Sequence, residues 1–457
     1  MELLGPGARD LYCRTCRLRR IRCDRTEPHC KKCQKKGHSC PGYGIQFRFA
    51  NGIASRGRFK GAASPSETKS QASQSSPKSE PASHAPHFDD IPESTLNHLI
   101  NYYSTNLAPI NVWVNTVQNE YTRLVIPLAK TQPSLRFAIL GIAAAHQAGA
   151  SPEFSQSACR TAMELITERV RRLAAMDLQE TRSYIENDDG SHEAILAATL
   201  ILSNHSLLGS DLPLALFHIE AARVLIKTLT SEAMSKRAVF MFLRNQVAAL
   251  DVLACATLFN PAHIKDPVLP ELGRGPVIFG HYLHIIHSIT MSSMQLEDDH
   301  PSIASLEERF ELARGSTLMA IGSLATLPDG PHRHDAIRLV QAFHHAGLLY
   351  ACKRLNIHED ENYHSTKLFR VFEQFEDISL SLANLSWPVF MAGICSCGNP
   401  ERIRIINGLC KTLVDSSPFQ YYANIPTFLE ELWARDDGDW TALAKEWENQ
   451  GMPVLAV

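Results

Sequence analysis

The chain of 457 residues predicts a mostly α protein in three parts: a small cysteine-built module over residues 1–49, an extended, disordered linker over 50–90, and a large all-α domain over 91–457. Three observations carry this. Six of the twelve cysteines fall at regular spacing inside residues 13–40, while the other six are scattered. The stretch SPSETKSQASQSSPKSEPASHAP has almost nothing to bury. From Ile91 onward apolar residues recur at helical spacing, and no alternating runs bounded by turn signals interrupt them.

The module is basic. Residues 1–49 hold twelve Lys or Arg against Glu2, Asp10, Asp24 and Glu27, a surplus of eight, and since the whole chain carries −3 the remainder stands at −11. A basic head on an acidic body suggests a polyanion-binding unit attached to something else. Its cysteines follow Cys13-x2-Cys16-x6-Cys23-x6-Cys30-x2-Cys33-x6-Cys40, so one half-motif occurs twice. Zinc prefers four tetrahedral ligands, and each half supplies three thiolates. Six sulfurs fill the eight places around two zinc ions only if two of them bridge, which predicts one shared binuclear cluster. Six thiolates and two Zn2+ add −2, leaving the module at about +6. A disulfide framework would suit a small secreted domain, and a single-zinc finger would leave two cysteines over. Neither explains the repeat.

Residues 13–40, CRTCRLRRIRCDRTEPHCKKCQKKGHSC, resemble the fungal binuclear zinc cluster family of transcription factors, with Arg19, Arg20 and Arg22 at its basic run and Pro28 at its loop proline. The resemblance implies that Cys13 and Cys30 bridge the metals. It also implies that a short helix opened by Cys13 and Cys16 enters the major groove of double-stranded DNA over a CGG-type triplet. Arg17 through Arg22 are expected on that helix, with Leu18 and Ile21 as its packing side. Arg19 and Arg20 would then contact bases, where a guanidinium suits the N7 and O6 acceptors of guanine, and Arg17 and Arg22 would contact phosphate. Lys31 and Lys32, with Lys35 and Lys36, fit phosphate binding or nuclear import rather than base reading. The expected location is the nucleus. Residues 41–90 show no heptads, so either one triplet suffices or a homodimer forms through the helical domain.

The body reads as apolar helices, among them SLRFAILGIAAAH, EAILAATLILSNHSLL, LALFHIEAARVLIKTL and RNQVAALDVLACATLF, separated by prolines and glycines. With NHLINYYSTNLAP and the Trp387-Pro388, Phe390 and Gly393 segment, it resembles the fungal-specific transcription factor domain. That implies an all-α fold and, in some members, a small-molecule effector. His281, His284 and His287 read as partly buried helix positions rather than metal ligands, as do His332, His334, His344 and His345, and Cys395 and Cys397 read as small core residues. Trp433, Trp440 and Trp447, spaced by seven among acidic residues, fit either a final helical pair packed on the core or a segment that contacts coactivators or corepressors. No nucleophile elbow, phosphate loop or acidic metal cluster points to an enzyme. No stretch reaches the roughly 18 uninterrupted apolar residues of a membrane span, so no membrane partner is expected. The competing reading is an effector-binding or interaction scaffold whose cluster is mainly structural.

Overall fold

The structure, a computed structural model, describes residues 15–16, 19, 21–24, 26, 30–38, 91–147, 151–175, 190–273, 277–294, 301–378, 381–417 and 419–457. The chain divides into two compact units, residues 1–81 with 167–184 and residues 82–166 with 185–457. The described residues are helical or irregular, without a strand. Among the described residues of the first unit, α1 (Lys31–Lys35) is a short helix.

In the second unit, α2 (Glu93–Tyr102) runs into a π turn at Tyr103–Leu107 and a 3-10 turn at Ala108–Asn111. Then come α3 (Ile126–Ala129), α4 (Pro133–His146) and α5 (Pro152–Ala175), the last of which runs from the second unit into residues grouped with the first. The centre is α6 (Ser191–Leu208), where only His205 escapes full burial. It is enclosed on nearly every side, and α4 and α7 (Leu212–Leu229) pack against it. Asp211 starts α7 by accepting the Leu214 N–H at 3.1 Å, which supplies one of the bonds a helix N-terminus lacks.

Next is α8 (Ala238–Thr257), long and apolar enough by length and composition to cross a membrane. It packs instead as a core helix. Asp251 on it is 1% exposed and bound by Arg223 of α7 at 3.0 Å, and it also accepts the Val268 N–H at 2.7 Å. After α9 (Pro261–Ile264), a layer of α10 (Gly280–Ser292), α11 (Ile303–Gly322), α12 (Pro331–Leu355) and α13 (Glu361–Gln374) follows, each packed on the next. Four helices close the fold: α14 (Ser386–Ile394), α15 (Pro400–Ser416), α16 (Asn424–Trp433) and α17 (Trp440–Asn449).

Trp387 of α14 is fully buried, stacked on Phe343 with ring centroids 5.5 Å apart. Gly393 lets α16 approach closely, since a Cβ there would sit 2.5 Å from Leu429 Cδ1 and the leucine would have to shift. The three C-terminal tryptophans belong to this packing. Trp433 donates to the Gly393 carbonyl at 2.9 Å, Trp440 lies edge-on to Phe390, and Trp447 packs on Phe428 and donates to Glu431 at 3.0 Å. Gly438, at φ 58°, turns the chain between α16 and α17. The histidine stripe of α10 holds no ligand set: His281 is exposed and His284 is bonded to the Pro270 carbonyl at 2.8 Å.

Candidate metal centre and nucleic-acid interface

The interior of the module is made of sulfur. Cys16, Cys23, Cys30 and Cys33 are buried at 0, 4, 0 and 0% exposure, with Ile21 packed against them as the sequence suggested. The sulfurs of Cys16, Cys23 and Cys30 lie within 4.8 Å of one another. Cys16 Sγ is 3.5 Å from Cys30 Sγ and 3.9 Å from Cys33 Sγ. A disulfide would need about 2.05 Å. Zn–S bonds of about 2.3 Å at tetrahedral angles set sulfurs about 3.8 Å apart, so these separations fit edges of a metal tetrahedron. Among the described residues no other group of His, Cys, Asp or Glu is arranged to hold a metal. Cys13 and Cys40 lie outside the described residues.

The local chain explains how the sulfurs are brought in. Thr15 and Cys16 are helical and the Arg19 N–H donates to the Thr15 carbonyl at 3.1 Å, but the Ile21 N–H reaches back to the Cys16 carbonyl at 3.1 Å and Ile21–Asp24 are not helical. This corrects one expectation: Ile21 and Arg22 stand beyond the helix, because the chain must turn there to return Cys23 to the cluster. Arg19 and Arg22 are both exposed. Arg17, Leu18, Arg20 and Pro28 lie outside the described residues.

The second half-motif is a self-contained cap. Cys30 precedes α1, and its sulfur accepts the Cys33 N–H at 3.3 Å, a bond that favours the thiolate. Gly37 at φ 64° ends the helix, with its N–H on the Gln34 carbonyl and the His38 N–H on the Cys33 carbonyl. Lys31, Lys32, Lys35 and Lys36 all remain exposed.

Asp24 joins the halves, and sequence reasoning counted it only as a charge. Its carboxylate accepts the N–H of Thr26 at 3.1 Å, Lys31 at 3.1 Å and Lys32 at 2.8 Å, supplying the open end of α1. Desolvation, the largest single cause, pushes its pKa up, but the donors of Thr26, Lys32 and Lys31 together outweigh that and hold the carboxyl below its ordinary value. An acidic residue directly after Cys23 in a basic run was the available signal.

The profile of the fungal specific transcription factor domain matches residues 98–452, and that of the fungal Zn(2)-Cys(6) binuclear cluster domain matches residues 12–48. Over 31 residues the chain is 55% identical to the aspercryptin biosynthesis cluster-specific transcription regulator of Emericella nidulans, covering 7% of this chain and 5% of that protein. Over 38 residues it is 45% identical to Arginine metabolism regulation protein II of Saccharomyces cerevisiae, covering 8% of this chain and 4% of that one. These alignments thus span only a small part of either relative. No solved structure matches.

Proposed function

This chain belongs to the family of fungal specific transcription factors, and from that premise we propose that it is a zinc-dependent, sequence-specific regulator of RNA polymerase II transcription that reads CGG-type triplets in the major groove. The observation that carries the reading is a sulfur-built interior with metal-edge spacing beneath exposed Arg19, Arg22, Lys31 and Lys32. In this reading Cys13, Cys16, Cys23, Cys30, Cys33 and Cys40 hold two Zn2+, with Cys13 and Cys30 shared. Zinc supplies no chemistry here beyond fixing the chain. The residues around it hold the cationic side chains in one geometry.

Arg19 and Arg20 contact bases, while Arg17, Arg22, Lys31 and Lys32 contact phosphate. The division 1–49, 50–90 and 91–457 assigns the DNA-binding module, the linker and the regulatory body. The protein acts in the nucleus, and the two relatives' names, both of pathway regulators, favour a regulator of one metabolic pathway.

The test couples native mass spectrometry on residues 1–61 to a titration with a CGG-containing duplex and a scrambled control. Two zinc ions and preferential binding of the triplet are expected. One zinc, or equal affinity for both duplexes, overturns the reading and favours a scaffold with a structural cluster. Arg20→Ala should cost about 1–3 kcal/mol on the matched duplex and relax the preference, whereas Lys32→Ala should weaken both duplexes alike and flatten the salt dependence.

A further inference from the structure

The helix α11 has two seams at heptad spacing, and the fold uses one of them. Leu306, Phe310, Ala313 and Thr317 are buried on the side where α11 packs against α10 and α12. The opposite side holds Leu312, Gly315, Met319 and Gly322, again three and four residues apart. Leu312 and Met319 are 69 and 78% exposed, two of the three most exposed large apolar side chains among the described residues. Gly315 and Gly322 are exposed too, with no atom within 4 Å of where a Cβ would stand.

The chain alone has no use for this pattern. Single apolar side chains on a surface are ordinary, but two of them one above the other on one helix make a patch. Gly315 weakens the middle of α11, and no neighbour in its own chain needs the space it leaves.

The alternation of large and absent side chains decides what fits there. Leu312 and Met319 share one heptad position, and Gly315 and Gly322 share the other. In an antiparallel pair of helices each layer sets the first position of one helix against the second position of the other. About a two-fold axis at the level of Thr317, Leu312 then meets the partner's Gly322 and Gly315 meets the partner's Met319. Every large side chain enters a space that a glycine keeps open, and the two backbones can approach closely. A parallel pair would set leucine on leucine, leave gaps at the glycines, and bring together Glu308 and Glu311 of both copies.

We infer that the outer face of α11 is a docking surface for a second copy of this chain, joined as an antiparallel, two-fold helix pair. A two-fold interface requires a patch complementary to itself, and this one is. An unrelated partner would not require each glycine to lie ten or four residues from the large side chain it accommodates. The layers extend over about 15 Å, which is small for an interface, so dissociation on the order of 10 µM is expected. Residues 41–90 carry no heptads, and this face supplies a means of pairing that the linker lacks.

The inference goes beyond the DNA-reading proposal and does not depend on it. Sedimentation equilibrium of the full-length, zinc-loaded chain without DNA should show a reversible monomer–dimer equilibrium. Leu312→Ser and Met319→Ser should each weaken it by about tenfold or more without lowering the melting temperature, because neither side chain is buried. Gly315→Met should abolish the dimer by filling the space that the partner's Met319 enters, whereas on a merely sticky surface an added methionine would strengthen association. Combining Gly315→Met with Met319→Gly exchanges the two positions and should restore pairing. The surface is overturned if the chain stays monomeric at concentrations well above the expected dissociation constant, if the dimer persists unweakened in Leu312→Ser, or if Gly315→Met tightens it. With no DNA present, failure of the pairing is separable from failure of the DNA reading.

Discussion

The two units solve the same problem with opposite materials. In the described part of the module the interior consists of four cysteine sulfurs with Ile21 against them, whereas the body encloses Trp387, Tyr350, Phe343 and Phe390 between helices. A few dozen residues bury too little apolar surface to offset chain entropy, so in the proposed reading thiolate–zinc bonds supply the module's order. The body, with hundreds of residues, is large enough to be held together by apolar packing. In that reading one chain carries a part whose folding is tied to zinc and a part whose folding is tied to packing.

The sharpest way to break this contrast is chelation. Removing zinc should unfold the module, a loss of order 10 kcal/mol in apparent folding free energy, and leave the melting of the body unchanged. Calorimetry with and without chelator would read both, and a body transition that moved with the metal would refute the separation. Next in size, Asp251→Ala should destabilise the body by about 3–5 kcal/mol, because it strands the Arg223 guanidinium in the core. Urea unfolding would measure that loss, and zinc content should not change.

Acid should tell the units apart by a smaller amount. Burial, with the nearby His205 as a lesser cause, pushes the His218 pKa from 6.5 down to about 4. The unfolded chain then takes up a proton below about pH 6.5 that the fold refuses until about pH 4. This contribution to stability is complete above 6.5 and is lost between those values, by about 2 kcal/mol at pH 5. Comparing unfolding at pH 7 and pH 5 in the protein and in His218→Leu should show a flatter profile in the variant. The least effect is expected from Asp24→Ala, which opens the N-terminus of α1: zinc should exchange faster and duplex affinity fall several-fold, with Asp24→Asn in between. Unaltered metal exchange in the alanine variant would mean the three N–H bonds do not hold the halves together.

Much of the fold was legible in the sequence. The largely apolar EAILAATLILSNHSLL reads as a buried helix, and it is the central α6. The spacing of tryptophans around Gly438 admitted two readings, and the rings' partners Phe390, Phe428 and Gly393 decide that they pack on the core. Those partners lie on other helices, at distances along the chain that no local pattern encodes. The same reason hid the Arg223–Asp251 pair and the clamp of Asp24 on α1.

The sequence by itself determined the module's sulfur set, its basic surface and the helical character of the body, because metal-ligand spacing, charge and periodicity are local properties. Only the tertiary structure decided which carboxylates are spent internally, where the first short helix must stop, and that Leu312 and Met319 of α11 stand outside the core. Each of these depends on residues brought together by the packing of separate elements, and that packing is settled by the whole chain at once.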